Sequence, residues 1–189
     1  MPIMIEKELL EEKELVERAQ RDPQAFGELY DRYYPRIYHY ILGRTACVDT
    51  AMDITSTTFF KALAGLKKFR WQGVSFGAWL YRIATNEVYA HFRKAKNEVT
   101  LLENIIHQPG EADPLVDVIE AEEELERHQE FLKIQQKLVN LPVKYQEVIS
   151  LRFFENKEIH EIAEILRKPE GTIKSLLHRG LKNLRKNSA

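Results

Sequence analysis

The 189-residue sequence has a single cysteine, Cys47, so the chain cannot form an internal disulfide. No stretch approaches the roughly 18 uninterrupted apolar residues that a membrane-spanning helix requires. The beginning of the chain is acidic from Glu6 onward and lacks the basic start of a secretion signal. These absences exclude a disulfide-stabilised framework and favour a cytoplasmic protein of a reducing compartment.

Motifs for catalysis and metal binding are also missing. The eight glycines never cluster into a phosphate-binding loop. The segment His160-Glu-Ile-Ala-Glu164 has glutamate where the zinc motif His-Glu-x-x-His requires its second histidine. No histidine follows a glutamate at the i+3 spacing of a di-iron bundle. We therefore predict that the chain is not an enzyme, that it has no catalytic residues, and that it binds no metal or cofactor.

A net charge is almost absent, since 28 Lys and Arg face 29 Asp and Glu for a total of −1. That total argues against a nucleic-acid binder, but the distribution does not. Residues 61–96 carry eight basic side chains and one acidic one, and residues 132–189 carry twelve against six. Residues 97–131 hold one basic side chain and eleven acidic ones. This alternation indicates nucleic-acid contact by separate segments, with ordinary solvated helix faces as the alternative.

Apolar residues recur at three- and four-residue steps along most of the chain, which predicts an all-α fold without strands. One helix ends near Arg21, where Asp22-Pro23 starts the next, and Gly43 interrupts that second helix. The later helices are predicted over residues 49–67, 76–96, 113–140, 143–154, 159–166 and 170–186. We divide the chain into an N-terminal helical domain (1–97), an acidic linker (98–116) and a C-terminal helical domain (117–189).

Residues 156–186 have the pattern of a helix-turn-helix. Apolar residues line one side of each helix, and Pro169 forces the turn because the residue before proline avoids helical geometry. The second helix has a basic, hydroxyl-bearing outer side, as docking in a DNA major groove requires. Its candidate DNA-binding residues are Thr172, Lys174, Ser175, His178, Arg179 and Lys182.

The other basic block interleaves aromatic and cationic side chains between Phe69 and Lys96. Aromatic rings stack on unpaired bases, and neighbouring cations bind the phosphates, so this block suits single-stranded or flipped bases. Packing of the aromatics in a small helical core is the alternative. The candidate residues are Phe69, Arg70, Trp71 and Gln72 in a loop, and Arg82, Thr85, Asn86, Tyr89, Arg93 and Lys94 on the helix that follows.

Two sets of motifs resemble the two conserved domains of bacterial RNA polymerase sigma factors of the extracytoplasmic-function group. The first set comprises Asp53-Ile-Thr-Ser-Thr-Thr-Phe59, Phe69-Arg70 and Phe76-Gly-Ala-Trp-Leu-Tyr-Arg-Ile-Ala-Thr-Asn86. The second comprises Leu141-Pro142, Glu161-Ile-Ala-Glu-Ile-Leu166, Gly171-Thr-Ile-Lys-Ser175 and Leu177-His-Arg179. They follow one another in the family's order and cover nearly the whole chain except the linker.

The resemblance implies a factor that binds core RNA polymerase and directs it to promoter DNA, with an anti-sigma protein as a further partner. The polymerase-binding helix would contribute Asp53, Ile54, Thr55, Phe59 and Leu63. The aromatic-basic block would melt and capture the minus-ten promoter element, which includes a flipped base. The helix-turn-helix would bind the minus-thirty-five element as duplex. No membrane insertion and no small-molecule substrate are expected.

The sequence departs from the family's pattern at several positions. Ser56-Thr57 replaces a Gln-Glu pair, and Ala90 replaces an Asp. Glu158 replaces a Ser or Thr helix cap, and Arg167 replaces a turn glycine. The alternative function is a helix-turn-helix regulator that acts without replacing the polymerase specificity subunit. The aromatic-basic block disfavours that alternative, because such a regulator has no use for a cationic stripe there.

Overall fold

The computed structural model describes residues 2–71, 74–101 and 134–186, and it describes the side chains of residues 9–71, 74–94 and 134–186. Within these ranges the chain is helical and contains no strand, which confirms the all-α prediction. The N-terminal helices are α1 (Pro2–Arg21), α2 (Phe26–Thr45), α3 (Val48–Leu66) and α4 (Phe76–Leu101), with a short 3₁₀ turn over Pro23–Ala25. Gln72 and most of the predicted linker lie outside the described residues.

In the C-terminal region the structure describes residues 134–186, and the first of these, 134–139, are helical. There follow α5 (Val143–Ile149), a π-helical segment (Ser150–Phe154), α6 (Ile159–Leu166) and α7 (Glu170–Lys186). The bounds of α6 and α7 are those predicted from the sequence. Other bounds differ. α4 extends to Leu101 because the residues after Lys96 include no helix breaker, and α2 passes Gly43 to end at Thr45, followed by the left-handed Ala46 at φ 50°. α3 begins and ends one residue earlier than predicted, and the helix predicted over 143–154 is α-helical only to Ile149.

The break between α1 and α2 is made by Asp22 and Pro23. The Asp22 carboxylate accepts a hydrogen bond of 2.9 Å from the Gln24 N–H, and Pro23 occupies the first turn, where its missing N–H is not needed. Both features match the helix start predicted at this dipeptide. The break lets α1 fold back against α2.

A buried carboxylate ties α1 to the other N-terminal helices. Glu12, only 5% exposed, accepts hydrogen bonds from the Tyr33 hydroxyl and, at 2.9 Å, from the Gly77 N–H at the start of α4. Burial and the nearby Glu12 raise the pKa of Tyr33 above its ordinary value. Gly77 has no room for a side chain, since a Cβ there would lie 2.9 Å from the Tyr33 ring. The contact therefore fixes the position at which α4 begins.

The C-terminal helices share an apolar core, in which Ile162, Ile165 and Ile173 are almost completely buried. Gly180 of α7 lies so close to α5 that a Cβ there would meet the Ile149 side chain at 3.0 Å. Burial of an isoleucine side chain contributes roughly 1.5–3 kcal/mol. This packing holds α7 with its polar side outward.

Candidate nucleic-acid interface

The outer side of α7 is a continuous polar surface. All six side chains predicted for duplex binding are exposed: Thr172, Lys174, Ser175, His178, Arg179 and Lys182. Their inner neighbours Ile173 and Leu177 are buried. The surface is stiff because its backbone belongs to a 17-residue helix that packs against α5 and α6. It presents cations and hydroxyls suited to phosphates and base edges.

The helix-turn-helix is held by caps at both ends of α6. The Glu161 carboxylate accepts hydrogen bonds from the Glu158 N–H at 2.8 Å and from Lys157 Nζ at 3.0 Å. Burial raises the pKa of Glu161, but these donors outweigh burial and lower it on balance. They support the weak helix cap predicted at Glu158. At the other end Arg167 is left-handed, with φ 51° and ψ 46°, a conformation that favours glycine.

The predicted minus-ten loop divides into a buried anchor and two accessible side chains. Phe69 is 8% exposed, and its ring packs against Trp79 with centroids 4.9 Å apart. Trp71 is half-buried and meets the edge of the Phe69 ring. Arg70 is exposed and donates to the carbonyls of Lys67 and Phe69 at 3.0 Å. Phe69 therefore positions this loop, while Trp71 and Arg70 remain accessible.

The predicted residues on α4 are not equally accessible. Asn86, Arg93 and Lys94 are exposed. Thr85 is buried, and its hydroxyl lies 2.8 Å from that of Tyr40. The two remaining predicted residues are Arg82 and Tyr89, which we call the α4 pair. Both are half-buried because the C-terminal helices contact them.

The α4 pair makes hydrogen bonds across the contact between the two regions. Arg82 donates to the carbonyl oxygens of Glu164 at 2.5 Å and Ile165 at 3.0 Å, in the last turn of α6. The Tyr89 hydroxyl donates to the Glu147 carboxylate at 2.6 Å. Burial lowers the pKa of Arg82, whereas burial and Glu147 raise the pKa of Tyr89.

Further polar groups surround this contact. Glu147 is completely buried, and its second oxygen lies 3.4 Å from Lys168 Nζ. The Tyr81 hydroxyl donates to Glu155, and burial raises the pKa of that carboxyl. Gln135 Nε2 donates to the Leu42 carbonyl at 3.0 Å. Side chains from residues 134–186 therefore cover part of α2 and α4.

Arg44, which the sequence interpretation missed, lies beneath this contact. It is completely buried, and Nη1 donates to the Tyr40 hydroxyl at 2.9 Å. Its guanidinium carbon lies 5.4 Å and 5.7 Å from the ring centroids of Tyr40 and Tyr89. Nε and Nη2 have no hydrogen-bond partner in the structure. Its place in the last turn of α2 offered no sequence signal, because arginine is seldom fully buried.

The helix predicted to bind polymerase, α3, presents a different surface from the one expected. Asp53 and Leu63 are exposed, whereas Ile54, Thr55 and Phe59 are buried. The Thr55 hydroxyl donates to the Ala51 carbonyl at 2.7 Å and is directed into the bundle. The sequence interpretation omitted three exposed apolar side chains on α3: Phe60 at 72%, Met52 at 49% and Val48 at 42%. Adjacent Phe59 and Phe60 cannot both face inward on a helix, which was the available signal.

Neither a membrane-spanning helix nor a metal-binding cluster is found among the residues that the structure describes. None of the helices in that part of the chain is long and apolar enough to cross a bilayer. The same described residues contain no group of three His, Cys, Asp or Glu side chains placed to hold a metal ion.

Comparison with known proteins identifies both regions. Sigma-70 region 2 matches residues 29–98, and Sigma-70 region 4 matches residues 131–184. The chain is 37% identical to the ECF RNA polymerase sigma factor BldN of Streptomyces coelicolor, over 90% of this chain and 63% of that protein. It is 32% identical to the ECF RNA polymerase sigma factor SigW of Bacillus subtilis, over 95% of this chain and 97% of that protein.

Solved structures show the same fold. The sigma factor RpoE of Bartonella quintana, in a complex with the anti-sigma factor NepR, matches with a TM-score of 0.66 at 23% identity, over 85% of this chain and 94% of that one. CnrH, in a complex with the cytosolic domain of CnrY, matches with a TM-score of 0.67 at 20% identity, over 93% and 95%. With both conserved regions in order and a 32% identical ECF sigma factor matched over 97% of its length, the chain belongs to the extracytoplasmic-function family of RNA polymerase sigma factors.

Proposed function

We propose that this chain binds core RNA polymerase and directs it to specific promoters, with its helix-turn-helix on the minus-thirty-five element and its α4 region on the melted minus-ten element. The observation that carries the proposal is the outer side of α7, where six predicted DNA-binding side chains are exposed over a buried apolar side. The chain acts as a specificity factor and does not itself catalyse a reaction.

At the minus-thirty-five element, α7 lies in the major groove of duplex DNA. Arg179 and His178 reach base edges, while Lys174 and Lys182 neutralise phosphates. Each good bidentate contact to a base contributes roughly 1–3 kcal/mol of discrimination. Phosphate contacts add affinity for every sequence alike, so sequence choice depends on few side chains.

At the minus-ten element, the accessible ring of Trp71 stacks on an unpaired base, and Arg70 and Arg93 bind the backbone. Stacking contributes roughly 1–3 kcal/mol per base, enough to offset much of the few kcal/mol required to extrude one. Phe69 acts through Trp71 by holding the loop against Trp79. Gln72 completes the proposed loop set and lies outside the described residues.

The polymerase-binding surface that we propose is the exposed side of α3. Asp53 and Leu63 remain its predicted members, and the exposed Met52 and Phe60 extend it as an apolar patch. Ile54, Thr55 and Phe59 keep α3 in place by packing inside the bundle. A patch of this kind fits a partner that buries apolar area.

The remaining predictions complete the proposal. The domain division at 1–97, 98–116 and 117–189 is retained, and the eleven acidic side chains of residues 97–131 suit a basic channel in the polymerase. We place the protein in the cytoplasm with its polymerase partner. An anti-sigma protein is included as a partner, as in the RpoE complex with NepR.

Transcription reconstituted with core polymerase tests the proposal. The templates form a library of linear duplexes randomised in both promoter elements, and sequencing of the transcripts identifies the active ones. We expect initiation from a defined subset only when this chain is added. If the chain binds duplex DNA tightly alone and never directs initiation, it is a helix-turn-helix regulator instead.

Trp71→Ala tests the minus-ten part of the proposal on the selected template. We expect loss of open-complex formation with duplex binding retained, because only the stacking ring is removed. Phe153→Ala is the matched control, since Phe153 is likewise an accessible aromatic, 53% exposed, but lies in the C-terminal region. Full activity of the Trp71 variant on linear DNA would contradict the stacking role.

A further inference from the structure

Helix α1 contacts the minus-ten loop, the connection between α3 and α4, at both of its ends. Where the loop begins, Gln20 Nε2 donates to the carbonyls of Leu66 at 3.0 Å and Phe69 at 2.8 Å. Just after the loop ends, the Gly77 N–H donates to the Glu12 carboxylate at 2.9 Å. Residues eight positions apart on a helix are separated by about 12 Å along its axis. One rigid element therefore fixes both ends of the loop.

The Gln20 amide acts on the proposed stacking ring through one intermediate residue. An amide NH₂ group has the two hydrogens needed to bond two carbonyls, one of which belongs to Phe69. The Phe69 ring packs against Trp79 with centroids 4.9 Å apart, and it meets the Trp71 ring edge-on at 6.2 Å. The position of the Phe69 backbone therefore helps to set where the Trp71 ring lies.

The Glu12 carboxylate is part of the packed bundle at the other end of the loop. It is almost completely buried and also accepts a hydrogen bond from the Tyr33 hydroxyl. Beside it, the Ser75 hydroxyl accepts from the Ala78 N–H at 3.1 Å and so caps the first turn of α4. Side chains from α1 and from the loop itself thus hold the point at which the loop joins α4.

Order in this loop matters for the capture of a single base. A loop that is already in its bound conformation loses less conformational freedom on binding than a mobile loop of the same chemistry. Helix α1 contributes none of the predicted DNA-binding side chains, and it precedes residues 29–98, which match region 2. An effect of α1 on base capture would therefore act through the position of the loop.

We propose that α1 is a brace for the minus-ten loop: Gln20 is a positioning residue that holds the Trp71 ring ready for an extruded base, and Glu12 is a positioning residue for the start of α4. Neither side chain touches DNA. The proposal rests on the function proposed above, because it assumes that Trp71 stacks on a base of the melted element. Loss of the brace should weaken capture of that base and leave the contacts of α7 with duplex DNA unchanged.

Substitutions of Gln20 separate its hydrogen bonds from its size. Gln20→Glu has nearly the same shape but replaces the donor by oxygens, which only accept and which repel the two carbonyls. Gln20→Lys again supplies a donor of similar reach. Glu12→Gln weakens the other end, because a neutral amide oxygen accepts more weakly than a carboxylate.

The exposed Gln24, in the turn after α1, provides controls with the same changes of charge. Its backbone N–H, and not its side chain, donates to Asp22. Gln24→Glu and Gln24→Lys should therefore behave as the unmodified chain does. Thermal melting verifies that every variant folds.

Hydrogen exchange of the free chain tests the brace without DNA. Mass spectrometry follows peptides that contain Lys68 and Phe69, whose N–H groups donate to carbonyls at the end of α3. We expect Gln20→Glu to raise the exchange rate of these amides about tenfold, because the open population of the loop rises. Gln20→Lys should exchange as the unmodified chain does. An unchanged exchange rate in Gln20→Glu would overturn the proposal.

DNA binding by the reconstituted holoenzyme tests the consequence. The probes are a fluorescein-labelled fork DNA, in which the minus-ten element selected in transcription is unpaired, and copies of it that each lack one base. The extruded position is the one at which removal of the base weakens binding by the unmodified holoenzyme but not by the Trp71→Ala holoenzyme.

We expect Gln20→Glu to weaken binding of the complete fork about tenfold, as when the competent fraction of the loop falls to a tenth. Binding of the copy that lacks the extruded base should not change. Gln20→Lys should restore binding of the complete fork, and Glu12→Gln should show the same selective loss to a smaller extent.

Two binding results would overturn the proposal. One is full affinity of Gln20→Glu for the complete fork, and the other is equal weakening on the complete fork and on the copy without the extruded base, which indicates a general loss of structure. Failure of the proposed function is a different result. In that case no missing base has an effect that depends on Trp71, although Gln20→Glu still raises the exchange rate in the free chain.

Discussion

The outer side of α7 and the side of α4 that we propose to bind DNA have similar sequence patterns and different surroundings. Both are basic stripes opposite an apolar side, yet the six predicted residues of α7 are all exposed, while Arg82 and Tyr89 of α4 are covered. The two surfaces differ because the two helices lie in different places in the fold. α7 contacts α5 and α6, whereas α4 lies between the N-terminal bundle and α6. A basic stripe thus indicates what a surface can bind, and the fold decides when it is available.

The largest expected effect comes from a substitution on the buried side of α7, which supports the proposed DNA-binding surface. Ile173→Ala removes a fully buried side chain, and such substitutions cost about 2–5 kcal/mol because a cavity remains. We expect this loss in the free energy of unfolding of the C-terminal helices, measured by urea titration. Duplex binding should fall with the folded fraction.

The neighbouring residue provides the control for that variant. Lys174 is exposed and pairs with Glu170 at 3.8 Å across one helical turn. Such pairs contribute about 0.3–0.5 kcal/mol, so Lys174→Ala should barely change the free energy of unfolding while it weakens DNA binding. Equal destabilisation by the two variants would contradict the division of α7 into a packing side and a binding side.

The second prediction concerns the covered surface. Tyr89→Phe keeps the ring but removes the hydroxyl that donates to Glu147 at 2.6 Å. A hydrogen bond to a buried charged group contributes about 1.5–3 kcal/mol, and we expect a loss of that size in the contact between α4 and the C-terminal region. Distances between spin labels at the exposed positions 91 and 160, introduced as His91→Cys and His160→Cys with Cys47→Ser, should lengthen. Tyr30→Phe, at an exposed tyrosine of α2, should leave them unchanged.

The third prediction divides the exposed surface of α7 by role. With a selected promoter duplex, Lys182→Ala should weaken binding similarly for all sequences and reduce the slope of log affinity against log salt by about 0.9, because one phosphate contact is lost. Arg179→Ala should in addition change the base preference. A salt slope that stays the same in the Lys182 variant would show that this lysine does not contact a phosphate.

These differences also show how far the fold could be predicted. Helix starts and turns depend on local chemistry, so Asp22-Pro23 and the bounds of α6 and α7 were predicted correctly. Gly43 was not a helix end, because a glycine inside a helix costs only about 1 kcal/mol. The family's two regions were recognisable because their motifs lie in short segments.

The candidate site was less predictable, because burial depends on which helix lies opposite. On α7 the apolar side in the sequence pattern was enough to predict both the buried side and the exposed side of the helix. On α3 the motif suggested Ile54, Thr55 and Phe59 for the partner surface, but the bundle buries them and leaves Phe60 exposed. The hydrogen bonds from Arg82 to the Glu164 and Ile165 carbonyls join residues more than eighty positions apart, and no local sequence pattern indicates such a contact.

The smallest expected effect concerns Arg167, which lies at the turn between α6 and α7 and beside the contact with α4. Its left-handed backbone, φ 51°, disfavours any side chain with a Cβ. Burial lowers the pKa of Arg82, and the positive charge of Arg167 lowers it further. Arg167→Gly removes both this charge and the backbone penalty, and Arg167→Ala removes only the charge.

We therefore expect Arg167→Gly to be more stable to urea than Arg167→Ala by about 0.5–1 kcal/mol, since only glycine adopts the left-handed conformation freely. Both variants should keep the labels at positions 91 and 160 as close together as they are in the unmodified chain. Equal stability of the two would mean that the turn relaxes around alanine. Longer distances in either variant would mean that the Arg167 side chain helps to hold α6 against α4.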